Sequence, residues 1–350
     1  MGYVSGGESP EVRYCPIVPG RASIISTARG RRPKILRAMD VEAASKTPAN
    51  CPFCPGNEFM TPPATLTLRR VGGNLIFDWE SEEERYNDWV VRVVPNKYPA
   101  LTPKAVGPRA AYGYHEVVIE NRRHDGQPPR VPAEELALTF KAAFRRVSEI
   151  LKSDSRIRYA IIIRNYGARG GASIPHPHMQ IFASEAVMPL IEEELKAFED
   201  AKVKGLECPL CGEIEAAERE GRVVFRGWGY VAFTAYAPRQ PYETWLAPVK
   251  HCDNPLTLEG DDLLNFARAF KKLLTIFTER LGDPAYNLWI HFPPRRSLGS
   301  GVFHWHLELS PVIATWGGLE KGGRAYIVTV PPERAAAELR GEVKAAAPTH

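Results

Sequence analysis

The strongest constraint on this 350-residue chain is a pattern written twice. Cys51-Pro-Phe-Cys54 is followed by a strand-like run ending near His124, a helical stretch, an apolar strand, a glycine loop and His176-Pro-His178. Cys208-Pro-Leu-Cys211 is followed, in the same order, by a run ending near His251, a helical stretch, a strand, a glycine-containing loop and His304-Trp-His306. Fifty-two residues separate His124 from His176, and 53 separate His251 from His304. A repeat of this kind implies two copies of one α+β unit, so the chain is expected to divide into residues 1–195 and 196–350.

Periodicity fills in the elements. Glu11 to Ser26 alternates around Pro19-Gly20 and predicts a hairpin. Trp89–Val94, Tyr114–Glu120, Arg158–Arg164, Val223–Phe225, Tyr230–Thr234, Glu243–Pro248 and Tyr286–Ile290 read as strands. Leu136, Phe140, Phe144, Val147 and Leu151 recur at helical spacing across Pro132–Ser153, as do Leu264, Phe266, Phe270, Leu273 and Phe277 across Gly260–Leu281. Helices are also expected over Glu185–Lys204 and from Pro332 to Ala347, the latter with Pro at its start.

The twinned cysteine pairs direct attention to metal. Zinc takes four nitrogen and sulfur ligands tetrahedrally, and a closed set marks a structural site. The repeat nominates Cys51, Cys54, His124 and His176 for a first zinc, and Cys208, Cys211, His251 and His304 for a second. His115 competes with His124, but it lies mid-strand on the face of Val117 and Ile119 and reads as a core or hydrogen-bonded histidine, and the repeat pairs His124 with His251. Cys15 and Cys252 are left over and read as packing residues, with a disulfide as the other possibility. His291 reads as a core histidine.

If His176 binds metal, His178 is the imidazole free for chemistry. His178 and Gln180 share a face of an extended segment, and the glycine run Gly167–Gly171 ahead of them could approach a phosphate closely. The pattern is that of a phosphoryl-handling site with a histidine nucleophile. In the second half, His306 is followed by Leu307-Glu308, so that site is expected to keep metal and lack catalysis.

Composition narrows the class. The net charge is +4 and basic residues are dispersed, which disfavours nucleic acid as a partner. A zinc-knuckle nucleic-acid-binding protein is the rival of a different class, and it leaves His-Pro-His-Met-Gln unexplained. No apolar run nears the ~20 residues of a membrane span, and Met1–Glu8 lacks a signal pattern, so a cytoplasmic protein is expected. Gln127, Gln180 and Gln240 are the only glutamines, a scarcity of thermolabile amides that suggests a thermophilic source.

These residues carry a family resemblance. His176-Pro-His178-Met-Gln180, preceded by Asn165-x-Gly167 and Ser173, resembles the active-site motif of the galactose-1-phosphate uridylyltransferase family of the histidine-triad superfamily. Arg13-Tyr14-x-Pro16, Ile25-Ser26 and Arg29-x-x-Arg32-Pro33 resemble its N-terminal substrate segment. Cys51 to Asn57 resembles its zinc knuckle, and Val94-Pro-Asn96-Lys-Tyr-Pro99 its ribose segment. Retention of Cys208 and Cys211 is most similar to the two-zinc branch, which includes plant ADP-glucose phosphorylase-like members.

The resemblance implies tandem histidine-triad-like units with an antiparallel sheet and flanking helices. It implies that His178 attacks the α-phosphate of UDP-glucose, that sugar 1-phosphate leaves, and that a hexose 1-phosphate such as galactose 1-phosphate then takes UMP. Neutral His178 should donate its other ring N–H to the motif's own main chain. Gln180 stands where related hydrolases carry a third histidine. An amide hydrogen-bonds but cannot act as a general acid, which favours transfer over hydrolysis. By motif position Asn165, Gly167 and Ser173 would contact phosphates, Arg29 and Arg32 the diphosphate or sugar phosphate, Asn96 the ribose, Phe53 the nucleotide and Glu320 a sugar hydroxyl. Lys97 replaces an acid of bacterial members, and a downstream glutamine is replaced near Tyr326. ADP-sugar phosphorolysis is the alternative within the superfamily. A homodimer with sites built across the interface is also implied.

Overall fold

The structure, a computed structural model, describes residues 9–30 and 50–344. In chain order the elements are β1 (Glu11–Tyr14), β2 (Ala22–Ile25), α1 (Thr27–Gly30), β3 (Leu66–Val71), β4 (Asn74–Asp78), β5 (Trp89–Pro95) and β6 (Gly113–Ile119). Then come α2 (Ala133–Ser153), β7 (Tyr159–Tyr166), β8 (His178–Ser184), α3 (Pro189–Val203), α4 (Pro209–Arg219), β9 (Val223–Gly227), β10 (Tyr230–Thr234) and β11 (Thr244–Pro248). The chain closes with α5 (Gly260–Leu281), β12 (Tyr286–His291), β13 (His306–Pro311), α6 (Gly318–Gly323), β14 (Ala325–Val328) and α7 (Pro332–Arg340).

Eleven strands form one sheet in the order β4-β3-β5-β6-β8-β7-β12-β13-β11-β10-β9, every neighbour antiparallel. The expected antiparallel α+β architecture is therefore present. The order reads outward from β7 and β12 in mirror fashion, and these two strands pair with Ile161 opposite His291, Ile163 opposite Trp289 and Asn165 opposite Asn287. The first half's strand edge is thus covered by the second's, which leaves no exposed ladder at the centre. Residues 195 and 196 both lie within α3, and the division of the chain there stays a proposal.

Alternation along the strands sorts residues onto two faces. Ile162, Met179, Ile181 and Val118 point to the face covered by α2 and α5 and are fully buried. On α2 the apolar stripe Leu136, Phe140, Phe144, Val147 and Leu151 is buried, as the periodicity predicts. On α5, Phe266, Phe270, Leu273 and Phe277 are buried, while Leu263 rather than Leu264 carries the first turn of the stripe. Phe140 meets Phe266 and Phe270 at centroid separations of 4.6 and 5.0 Å, so the two helices share one aromatic core. The opposite face carries His178 and Gln180 on β8, opposite Ile119 and Val117 of β6. A smaller apolar cluster of Cys51, Phe53, Cys54, Ala64, Trp89, Val94, Val117 and Ile119 lies on that face.

The hairpin β1–β2 forms in the expected place, with β14 added parallel to β2 in a separate three-stranded sheet. The β3–β4 hairpin, α4 and α6 were not anticipated. Helix α3 starts at Pro189 and α7 ends at Arg340 with Gly341 in the left-handed conformation, so both are shorter than their sequence stretches suggest. No described helix is long and apolar enough to cross a membrane.

Candidate active site and metal centres

β8 begins at His178, so the His176-Pro177-His178 segment is the entry to a central strand. Its backbone is pinned from both sides. Glu120 N–H donates to the Pro177 carbonyl at 3.1 Å, and Gln127 Nε2 to the Pro175 carbonyl at 3.0 Å. Gln127 is itself held by Arg164 at 2.6 Å, and Arg164 ion-pairs with Glu120 at 2.6 Å. Sequence reading assigned no role to Gln127, Glu120 or Arg164, because their connection exists only once β6, β7 and the loop at Gln127 meet.

His178 Nδ1 lies 2.8 Å from the His176 carbonyl. A carbonyl only accepts, so Nδ1 carries the proton and Nε2 keeps its lone pair. Burial holds the His178 pKa down at about 4, outweighing the upward pull of the carbonyl, and the nearby Arg164 adds a smaller downward push. The ring is neutral near pH 7, as a nucleophile must be. Phe53 packs edge-on against it at a centroid separation of 5.3 Å.

The glycine loop brings phosphate-handling candidates toward β12. Gly167 and Gly171 take φ of +73° and +85°, which other residues rarely adopt. Gly170 lies against the Tyr286 carbonyl, 2.8 Å from where its Cβ would stand. Asn165 Oδ1 accepts from Asn287 Nδ2 at 2.8 Å, tying the loop to the second half. Ser173 is exposed on the approach to the motif. Asn96 follows β5 and reaches His115, its Nδ2 3.0 Å from the ring Nε2. Arg29 sits on exposed α1, and Arg32 lies outside the described residues. Glu320 is occupied locally, accepting from the backbone of Gly317 at 2.8 Å, and that contact does not reach the residues around His178.

Cys51, Cys54, His124 and His176 converge, their ligand atoms within 4.8 Å of one another. Cys54 Sγ is 3.3 Å from His124 Nδ1 and 3.5 Å from His176 Nδ1. A tetrahedral zinc with ordinary bond lengths separates sulfur from nitrogen by about 3.6 Å, so the set fits that ion. His176 Nε2 faces the Asn121 carbonyl at 2.8 Å, which leaves Nδ1 to ligate. Burial and then Cys51 push the Cys54 thiol up, so a cation is needed to make it a thiolate.

Cys208, Cys211, His251 and His304 converge in the same way. Cys211 Sγ lies 3.8 Å from His251 Nδ1 and 3.5 Å from His304 Nδ1, and His304 Nε2 faces the Pro248 carbonyl at 3.0 Å. The donor set fits zinc again, and the Pro248 carbonyl leaves His304 Nδ1 free to ligate. Cys208 caps α4, with Pro209 as its first helical residue. Cys15 and Cys252 are free thiols, and Cys15 Sγ accepts from buried Arg21 at 2.9 Å.

A third group was missed. Glu194, His291, His306 and Glu308 are all buried, with ligand atoms within 4.8 Å. Glu194 comes from α3 and the others from β12 and β13, so no single stretch of sequence announces them. His291 Nδ1 faces Glu194 Oε2 at 3.0 Å and His306 Nε2 faces Glu308 Oε1 at 3.5 Å, and among the described residues none of these atoms, nor Glu194 Oε1, makes a well-formed hydrogen bond. Burial opposes the charge on Glu308, but Arg239 first, then His306, His291 and Arg21, hold it ionised well below the ordinary carboxylate range. Arg239 ion-pairs with both Glu243 and Glu308. The second half therefore presents a paired carboxylate where the first presents Gln180, and Trp245 stacks 5.0 Å from His306.

Comparison with known proteins agrees with this layout. The family model for the N-terminal domain of galactose-1-phosphate uridyl transferase matches residues 91–188. The galactose-1-phosphate uridylyltransferase of Streptomyces lividans is 30% identical, covering 73% of this chain and 75% of its own. The ADP-glucose phosphorylase of Arabidopsis thaliana is 29% identical over 95% of this chain and 93% of its own. A crystal structure of an Arabidopsis thaliana ADP-glucose phosphorylase with bound ADP-glucose superposes with a TM-score of 0.80 at 28% identity, covering 96% of this chain and all of that one. The chain belongs to the galactose-1-phosphate uridylyltransferase family, and it is an enzyme of that nucleotidyl-transferring class.

Proposed function

We propose that the chain moves a nucleotidyl group from a nucleoside diphosphate hexose to a phosphate acceptor through a covalent bond to His178, with UDP-glucose and a hexose 1-phosphate such as galactose 1-phosphate as the substrate pair. The observation that carries this is the 2.8 Å contact of His178 Nδ1 with the His176 carbonyl, which leaves Nε2 unprotonated beside Gln180. Nε2 attacks the α-phosphorus, and the bond from that phosphorus to the oxygen of the departing sugar 1-phosphate breaks. The acceptor's phosphate oxygen then attacks the same phosphorus and the phosphorus–nitrogen bond breaks, restoring neutral His178. A covalent intermediate divides one displacement into two. Gln180 supplies hydrogen bonding without an acidic proton, so the intermediate waits for its acceptor. Asn165, Gly167, Ser173, Asn96, Phe53, Arg29, Arg32 and Glu320 keep their proposed binding roles. The two Cys₂His₂ sets would hold zinc, which supplies rigidity where His176 anchors the strand entry.

A second reading shares the intermediate and changes the substrates: phosphorolysis of ADP-glucose. The near full-length similarity to the Arabidopsis phosphorylase favours it. Intact-mass measurement after incubation with UDP-glucose or ADP-glucose, without acceptor, tests both. A nucleotidyl adduct should form on the wild type, vanish in His178→Ala and persist in His306→Ala. An adduct from ADP-glucose alone would move the assignment to the phosphorylase. No adduct from either donor would overturn the covalent mechanism.

A further inference from the structure

His115 has no part in the roles above. It lies on β6 facing β8, opposite Phe182 and one diagonal step from Gln180. Its ring is buried and stacks on Phe182 at a centroid separation of 4.0 Å and an interplanar angle of 24°. Its Nδ1 accepts from the backbone N–H of Ala100 at 3.0 Å, and its Nε2 lies 2.8 Å from Gln180 Oε1.

We propose, on the basis of the covalent reading above, that His115 is a positioning residue: it holds the Gln180 side-chain amide by its oxygen, so that the NH₂ group is turned toward the transferring phosphoryl group. A neutral imidazole has one donor and one acceptor nitrogen. A backbone N–H cannot be rotated to present an acceptor, so Ala100 reserves Nδ1 as the acceptor and the proton must sit on Nε2. That proton is donated to Gln180 Oε1. Gln180 then has its oxygen committed, and its NH₂ donates to no protein group among the described residues.

The same ring meets Asn96 Nδ2 at 3.0 Å, which with Nε2 protonated is a contact between two donors. Asn96 is the partner that yields, since its Oδ1 is already held by the Tyr98 N–H at 2.9 Å and its NH₂ is left to a ligand. The alternative tautomer would satisfy Asn96. It would leave the Ala100 N–H facing another donor, and it would turn the Gln180 oxygen toward the phosphate. An unrestrained amide presents either end. A preorganised donor costs no reorganisation when charge develops on the phosphoryl oxygens.

Two substitutions separate this role from simple packing. His115→Asn keeps a polar group near Nδ1 and removes the donor at Nε2, whereas His115→Gln places an amide NH₂ near Nε2. The readout is the single-turnover rate of nucleotidyl-enzyme formation with UDP-glucose and ADP-glucose, alongside zinc content. His115→Asn should slow formation about 10- to 100-fold, and His115→Gln should recover most of the rate. Gln180→Ala and the double variant H115N/Q180A should be equally slow, because His115 acts through Gln180. A wild-type rate in His115→Asn, or losses that multiply in the double variant, would overturn the proposal. If the wild type forms no adduct, the covalent reading fails separately. The same variants are then compared in steady-state nucleotidyl exchange, where equal turnover of His115→Asn and wild type rejects the positioning role. Nitrogen-15 NMR of histidine-labelled protein gives a check independent of either rate: the Nε2–H tautomer of His115 is required, and an Nδ1–H ring refutes it.

Discussion

His178 and His306 occupy equivalent places and have different surroundings. Each donates Nδ1–H to the carbonyl two residues back, at 2.8 and 3.1 Å. The difference is the next same-face residue. Gln180 is neutral and bonded to His115, whereas Glu308 is a buried anion paired with Arg239. A fixed negative charge there repels a phosphoryl group, which is why the second half is not expected to react. His115 also carries a pH signature. Burial lowers its pKa from 6.5, against the upward pull of its hydrogen bond to Gln180. The unfolded state therefore binds the proton more readily than the fold does. The stability tied to the neutral ring is fully present above the unfolded value and is lost as pH falls through the folded one. Urea midpoints of the wild type should fall between pH 7 and pH 5, and His115→Gln should fall less steeply.

At the scale of elements, the glycine loop and the cysteine turns exist to place the strand that bears His178. Gly170 packs on the Tyr286 carbonyl of β12, where a methyl group would force the backbones apart. Gly170→Ala should slow adduct formation by about tenfold or more, since displacements of an ångström are that costly, with zinc content unchanged. The two metal sets should respond differently. His176 belongs to the first set and stands two residues before the proposed nucleophile, so Cys54→Ser should lose one zinc and the adduct together. The second set anchors α4 and the entry to β13. Cys208→Ser should lose one zinc and lower the melting temperature while the adduct still forms, as metal analysis and intact mass would report.

For the whole molecule, the halves meet along the β7–β12 ladder, in the pairing of β14 with β2, and in the aromatic contact of α2 with α5. Phe266 is fully buried and touches Phe140 of the first half as well as Trp305 of the second. Phe266→Ala should destabilise the chain by about 3–5 kcal/mol. Because the core is common to both halves, far-ultraviolet dichroism and tryptophan fluorescence should report one coincident urea transition, displaced to lower urea in the variant. Two separate transitions would show that the halves unfold independently.

Local chemistry was legible in the sequence. The paired Cys-x-x-Cys and His-x-His motifs, at matched separations, nominated both metal sets, and the structure draws each together. Alternation gave the strands, and the helical stripe gave α2 and α5, because burial of one face imposes a period on the chain. The choice of His178 over His176 also followed from the repeat. Tertiary structure alone decided what depends on distant segments meeting. The Glu194, His291, His306 and Glu308 cluster needs α3 laid against β12 and β13. The Arg164–Gln127 brace under Pro175 needs β7 beside a loop nearly 40 residues away. His115 read only as a core or hydrogen-bonded histidine, because a sequence shows which face a ring occupies, not which atoms meet its two nitrogens. Which end of the Gln180 amide faces the substrate is set by a backbone N–H at Ala100, and no residue type encodes that.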